Sequence, residues 1–444
     1  MPILKRKIES ILTHWKGSPN HKPLVIKGCR QCGKTFSVKQ FADNNYENVV
    51  YLNFVESNDY ALAFHDSKRV DDIVMNLSAM IPRSKFVPGR TCLIFDEIQE
   101  CPEARTSLKF FKIDGRYDVI ATGSLLGVRG YGQHAEAKAS IPVGYEDIVE
   151  MYPLDFEEFL WANGIHEDII NLLQQCYSQQ KPVPAALHQR LRQLILQYTI
   201  VGGMPAVVNL FLDSHDLGQV LTEQRGIVAG YEEDMVKYAE GRDKSRIREC
   251  FESIPRQLSK ENKKFQYSFI RKGGRSADYQ GSLQWIEDAG IIKRCRNLYI
   301  TELPLDGNAI DDVFKVYMMD TGLFVSMLED GTQADILRGN LYGYKGAIFE
   351  NLIADIFSKM GRKLYYFHKD SGLEVDFVIR LHGECVLVEV KSKTGNTKST
   401  STILRHPEKY HVNHAIKLGD YQIGCEANML TLPLYMAFLL RPDK

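Results

Sequence analysis

At 444 residues the chain is longer than one hydrophobic core usually serves, so two or three domains are expected. Hydrophobic content of 44% and charged content of 25% are ordinary for a soluble globular protein, and the net charge of -1 excludes a uniformly basic coat while leaving room for a local basic face. No apolar run is long enough for a bilayer, MPILKRKIES has charge but no apolar stretch behind it, and the nine scattered cysteines suit a reducing compartment; no membrane contact and a cytoplasmic location are expected.

Residues 5–16 carry a helical pattern that Ser18, Pro19 and Asn20 break. Leu24, Val25 and Ile26 then form a short apolar run, the pattern of a buried strand, which feeds into G-x-x-x-x-G-K-T at Gly28, Gly33, Lys34 and Thr35. This is a P-loop. Gly28 and Gly33 let the backbone curl, so that N–H groups across Cys29, Arg30, Gln31 and Cys32 face an anion, and a helix starting near Lys34 and Phe36 turns its positive end toward it. Lys34 is expected on the β- and γ-phosphates of ATP, and Thr35 on Mg²⁺. Cys29 and Cys32 make a C-x-x-C, but a metal or disulfide there would obstruct nucleotide, so the pair is read as incidental.

Strands are expected at VVYLNF (49–54), TCLIF (91–95) and YDVIAT (117–122), with a helix after Val70. Such alternation predicts an α/β fold with a parallel sheet and helices on both faces. The third strand ends in Asp96-Glu97, which places Asp96 in the crevice beside the P-loop as a Mg²⁺ holder and Glu97 where it can orient water. Thr122 and Ser124 end the fourth strand, either as γ-phosphate sensors or, for Ser124, as a helix cap. Arg105, Arg116 and Arg129 are all open as an arginine finger.

The segments GCRQCGKT, LIFDEIQ (93–99), ATGS (121–124), YPLDFEEF (152–159), GGMP (202–205), YEEDM (231–235) and ENLIADIF (350–357) together resemble a predicted prokaryotic family of AAA+-class P-loop ATPases with an uncharacterised carboxy-terminal domain. The resemblance implies an ATPase core at 1–150, a helical lid at 151–240, a winged-helix-like segment at 241–335 and a nuclease-like domain at 336–444. It also implies weak nucleotide contacts from Gly203 and Pro205 of GGMP, where the residues alone suggest a turn. Between Leu160 and Tyr198 the pattern is helical, divided by KPVP (181–184).

Residues 242–275 hold eleven Lys or Arg against four acids, with Phe265, Tyr267 and Phe269 alternating among them. Helices followed by a short basic strand pair suit a winged helix, so nucleic acid, specifically DNA, is the expected partner, against a solvated face or a contact with an acidic patch of the same protein.

From Gly346 an amphipathic helix is expected, with Ile348, Phe349, Leu352, Ile353, Ile356 and Phe357 inward and Gly361 closing it. Strands follow at 363–368, 373–381 and 384–392, the last two joined by His382-Gly383, a fit to a two-residue primed turn. That register sets Asp376 opposite Glu389 and Lys391 opposite Glu374, and two facing carboxylates call for a cation between them. A divalent ion is the expected answer, with Lys391 activating water or holding a phosphate. The arrangement resembles the PD-(D/E)XK nucleases, whose pattern here falls on Glu350, Asp376, Glu389 and Lys391, with a helix near 403–411 and a strand near 414–418 to follow. E-x-K also occurs at Glu136 and Glu261, but only Glu389 ends an apolar strand opposite an acid. Two readings result: an ATPase that engages nucleic acid and carries a metal-dependent nuclease-like domain, or a nucleotide-gated switch whose last domain binds without cutting. A P-loop small-molecule kinase is disfavoured by Asp96-Glu97.

Overall fold

The computed structural model describes residues 3–125, 144–238, 243–260, 263–339, 344–391 and 397–443. They fall into two units, the smaller made of Lys5–Pro153 with Asp288–Gly290 and the larger of the remaining described chain.

In the smaller unit five strands lie in the order β2-β3-β4-β1-β5: β1 (Leu24–Gly28), β2 (Asn48–Asn53), β3 (Thr91–Asp96), β4 (Asp118–Ser124) and β5 (Asp147–Met151). Every pairing is parallel. Successive side chains of a strand point to opposite faces, and here both faces are apolar, as a doubly covered parallel sheet requires. Leu24, Ile26, Ile94 and Ile120 pack with Ile8, Leu12, Trp15, Val38 and Phe41 of helices Lys7–Gly17 and Lys34–Asn45. Val25, Leu93, Phe95 and Ala121 pack on the other side with Ile73, Leu77, Leu108 and Phe111 of helices Val70–Met80 and Pro102–Asp114. The α/β parallel fold expected from the sequence is therefore present. Strand β5 was not anticipated, because DIVEM has no apolar run and only Met151 is buried.

The larger unit begins with helices Phe156–Ala162, Glu167–Ser178, Ala185–Val201, Pro205–Ser214 and Leu217–Tyr238. Helices Asp243–Leu258 and Ser276–Asp288 follow, then the antiparallel pair β6 (Ile292–Leu298) and β7 (Ala309–Met318). The alternating aromatics do not form a strand. Tyr267–Phe269 is a 3₁₀ turn, and Phe265 instead stacks on Phe314 of β7, its N–H donating to the Phe314 carbonyl at 2.8 Å. Strand β6 also pairs in parallel with β8 (Leu364–His368), which pairs with β9 (Glu374–Val375), so segments 241–335 and 336–444 share one sheet, β7-β6-β8-β9.

A second sheet runs β10-β11-β12-β14-β13, from β10 (Phe377–Leu381), β11 (Glu384–Val390), β12 (His414–Gly419), β13 (Gly424–Glu426) and β14 (Met429–Pro433). His382 and Gly383 take φ of 54° and 79°, as a primed turn demands, and Phe377 pairs with Val388 in the expected register. The expected strand 373–381 is, however, two strands: the chain breaks at Asp376, sending β9 to one sheet and β10 to the other. The helix expected near 403–411 is likewise two short ones, Lys398–Leu404 and Pro407–Tyr410.

Helix Lys345–Lys359 buries all six of its expected apolar residues and ends with Gly361 at φ 79°. Its last turn carries a buried ionic network. The fully buried Lys359 ammonium lies 2.7 Å from Asp355 Oδ1 and 3.7 Å from Asp320 Oδ2, and donates to Tyr198 Oη and the Leu154 carbonyl. Asp320 in turn accepts from the N–H groups of Gly203 and Leu323. At Gly203 an added Cβ would come 2.0 Å from the Leu154 carbonyl oxygen, so the GGMP glycine is demanded by backbone packing. Removing one member of a buried ion pair strands its partner, so Lys359→Met is expected to cost about 3–5 kcal/mol in urea unfolding. A loss under about 1 kcal/mol would mean the network contributes no more than a surface pair.

Candidate functional site

The P-loop curls at Gln31 (φ 63°) and Gly33 (φ 93°), and helix Lys34–Asn45 starts directly after it. Gly28 has a different role from the one expected. Its φ is not left-handed; instead a Cβ there would lie 2.2 Å from the Met151 carbonyl oxygen on β5, so glycine is required by the neighbouring strand. The loop is braced by Arg6, whose guanidinium donates to the carbonyls of Cys32 (3.1 Å) and Tyr152 (2.7 Å). Lys34 folds back on its own loop, donating to the carbonyls of Cys29 (2.8 Å) and Gly28 (3.1 Å). Cys32 is fully buried under the loop, and a hydrogen bond from Cys29, opposed by burial and helped by Lys34 and Arg6, lowers its thiol pKa to about 6. Phe36, by contrast, is 58% exposed just past Thr35.

Parallel strand order brings the carboxyl ends of β1, β4 and β3 side by side, and Asp96 is the point where their polar groups meet. Thr35 Oγ1 donates to its carboxylate at 3.0 Å, Tyr51 Oη at 2.7 Å and Asn53 Nδ2 at 3.4 Å, and Thr122 Oγ1 donates to Oδ1. Thr35, Asp96 and Thr122 were expected together; Tyr51 and Asn53 were not, since nothing in VVYLNF separates them from ordinary strand residues. Such an oxygen-rich group of a hydroxyl and a carboxylate suits a hard dication. Glu97 sits in the left-handed region (φ 53°, ψ 48°) and accepts from Gln99 Nε2, a strained backbone of the kind found at working sites. Ser124 closes β4 and is buried. Of the arginine-finger candidates, Arg105 is paired with Glu146 at 2.8 Å and Arg116 with Asp71 and Asp114. Arg129 lies outside the described residues. Arg30 is half-buried in the loop, while Gly203 and Pro205 belong to the larger unit.

In the larger unit Glu350, Asp376 and Glu389 are buried close to three lysines. Lys391 Nζ is 2.6 Å from Glu389 Oε2 and 3.7 Å from Asp376 Oδ2. Glu350 accepts from Lys263, from Tyr317 Oη at 3.0 Å, and faces Lys315 at 3.7 Å. The expected Lys391–Glu374 pairing gives way to Lys315–Glu374 at 2.8 Å. The argument that two carboxylates need a divalent ion is thereby corrected: ammonium groups of the protein already answer the repulsion. The residue types still suit a hard cation, but a lysine rests on each acid, and among the described residues no group of three or more His, Cys, Asp or Glu is arranged to hold a metal. The E-x-K repeats at Glu136 and Glu261 lie outside the described residues. Burial works to raise the Glu350 pKa, but Lys315 and Lys263 outweigh it and hold it below the ordinary value. Burial, with Glu350 and Glu389 adding to it, pushes Asp376 up to about 7.

That shift has a sign in stability. Between the ordinary value of 3.8 and about 7 the folded chain keeps a proton on Asp376 that the unfolded chain has lost, so stability falls as pH rises through that window. Asp376→Asn, which cannot ionise, is expected to flatten the fall in thermal melts; an unchanged slope would contradict the assignment.

Comparison with known families agrees with the first site. Residues 20–160 match an AAA domain, 192–334 a domain of unknown function (DUF8612) and 345–435 a second domain of unknown function (DUF4143). No curated protein matches the chain. Among solved structures it is similar to the Walker-type ATPase PABY2304 of Pyrococcus abyssi at 14% identity, over 73% of this chain and 96% of that one, with a TM-score of 0.44. The Aeropyrum pernix ORC2 protein, solved with ADPNP and ADP, is similar at 12% identity over 75% and 90%, with a TM-score of 0.31. Among the described residues no helix is long and apolar enough to cross a membrane. Residues 20–160 of the amino-terminal unit, which carry the P-loop and the parallel sheet, are thus similar to the AAA domain family.

Proposed function

We propose that the protein binds ATP with Mg²⁺ at the P-loop and hydrolyses it, and engages nucleic acid through its basic middle segment. The observation that carries the first part is the contact of Thr35 with Asp96 at 3.0 Å, beside Lys34. Lys34, whose present partners are the Gly28 and Cys29 carbonyls and the Cys32 sulfur, would exchange them for the β- and γ-phosphates, and Thr35 and Asp96 would hold the magnesium ion. When bound, that ion neutralises phosphate charge. Glu97, steadied by Gln99, would orient the attacking water, and Thr122 and Ser124 would sense the γ-phosphate. Phe36 is a candidate for further nucleotide contact.

In the basic segment Arg246 and Arg248 are engaged with Asp278, Glu232 and Glu252, whereas Arg271, Lys272 and Arg275 are exposed around one turn, which supports a phosphate-backbone contact there. The reading in which Glu350, Asp376 and Glu389 hold a second cation, with Lys391 on a scissile phosphate or water, meets a lysine on each acid. The lysine compensation of those acids favours a second reading, in which the last domain binds nucleic acid without cutting it and ATP hydrolysis resets the protein.

Lys34→Ala is expected to lower phosphate release without any added acceptor by about a hundredfold or more. Unchanged turnover would overturn the ATPase reading. On the cation reading, Asp376→Ala should abolish Mg²⁺- or Mn²⁺-dependent cleavage of DNA while sparing ATP turnover; DNA binding with no cleavage by the wild-type protein would leave the switch as the better account.

A further inference from the structure

Strands β2 and β3 run parallel with Asn53 beside Asp96, so Tyr51, Asn53 and Asp96 share one face of the sheet, the face covered by helix Lys34–Asn45. Asn53 is pinned by the turn that follows it. Its Oδ1 accepts from the N–H groups of Val55 (2.9 Å) and Glu56 (3.0 Å), which leaves Nδ2 to donate to Tyr51 Oη at 3.2 Å. A phenol that accepts from an amide keeps its own proton to give, and Tyr51 gives it to Asp96 Oδ2 at 2.7 Å. The ring is held as well: Lys39, one turn beyond Thr35 on the P-loop helix, sets its ammonium 3.5 Å from the centre of the Tyr51 ring. Thr35, Asp96, Tyr51 and Lys39 thus close a ring of contacts that ties the P-loop helix to β2 and β3.

The donors divide between the two oxygens of Asp96. Thr122 donates to Oδ1, and Thr35 lies 3.0 Å from Oδ1 and 3.1 Å from Oδ2. Tyr51 makes the short bond to Oδ2, where Asn53 is a long contact at 3.4 Å. The last torsion of an aspartate is broad, so donors on one oxygen leave the carboxylate free to turn and donors on both fix its plane. Without the Tyr51 hydroxyl, Oδ2 of a buried carboxylate would keep only the shared and the long contact.

We infer that Tyr51 is a positioning residue for the magnesium site: its hydroxyl holds the Oδ2 side of Asp96, so that the carboxylate and the Thr35 hydroxyl face the cation together. The inference rests on the reading of Thr35 and Asp96 as the magnesium holders. Tyr46 supplies a comparison in the same unit. Its hydroxyl also donates to an aspartate at 2.7 Å and its ring also lies under a lysine, Lys16, at 4.0 Å. That aspartate is Asp118, which opens β4 at the end of the parallel sheet away from the P-loop.

The test uses the full-length protein holding a non-hydrolysable, fluorescently labelled ATP analogue, and reads the Mg²⁺ concentration at half-saturation together with the affinity for the analogue in a chelator. Tyr51→Phe keeps the ring under Lys39 and is expected to raise the Mg²⁺ midpoint about tenfold or more, the usual effect of removing a group that orients a metal ligand, with the affinity in chelator unchanged. Tyr46→Phe is expected to melt at a lower temperature and to keep the wild-type Mg²⁺ midpoint. Asn53→Ala, which removes the donor behind the hydroxyl, should shift the midpoint in the same direction as Tyr51→Phe, and it decides the question should Tyr51→Phe fail to fold. A wild-type midpoint in Tyr51→Phe would overturn the inference while leaving the magnesium site standing. So would equal shifts in Tyr51→Phe and Tyr46→Phe, or an equal loss of analogue affinity with and without Mg²⁺, either of which would mark Tyr51 as part of the fold alone. A wild-type protein whose bound analogue does not respond to Mg²⁺ would remove the magnesium reading and the inference with it.

Discussion

A carboxylate withdrawn from water must be met by donors or cations, and that requirement organises both units. At Asp96 four side chains from two strands, β2 and β4, and the P-loop helix converge on one carboxylate, which fixes the relative positions of Lys34, Thr35 and Glu97 without any ligand. In the larger unit the same rule is met twice, by Lys359 between Asp355 and Asp320 and by three lysines around Glu350, Asp376 and Glu389. One of these two clusters is sealed and structural. The other touches the basic segment and reaches water at Lys263 and Lys391.

That difference explains why two motifs of similar appearance have separate duties. ENLIADIF contains both Glu350 and Asp355, a little over one helical turn apart. Asp355 is spent on Lys359 and on the Thr321 N–H and hydroxyl, which lock the helix to its neighbours. Asn351 does the same for β7, accepting from the Met318 N–H at 2.8 Å. Glu350 faces the other cluster.

Much of this was legible in the sequence because it depends on local chemistry. The glycines and lysine of the P-loop, the apolar strands, and the His382-Gly383 turn each state their geometry over a few residues, and the hairpin register followed from the turn. What escaped depends on distant pairing. Strand β5 has too few apolar residues to announce itself, Arg6 reaches carbonyls of residues remote in sequence, and Tyr51 and Asn53 matter only once β2 lies beside β3. The break at Asp376 is set by competition between two sheets for adjacent residues. Lys263 and Lys315, which replaced the anticipated ion as partners of Glu350, could not be assigned to it from spacing at all.

The claim most central to the account is that Thr35 and Asp96 await a magnesium ion accompanying a triphosphate. Calorimetric titration of ATP into wild-type and Asp96→Asn protein, with Mg²⁺ and with a chelator, addresses it directly. The account predicts that Mg²⁺ tightens ATP binding in the wild type and that the variant loses this Mg²⁺ dependence. Binding of ATP with the same Mg²⁺ dependence in both proteins, or no binding in either, would contradict it.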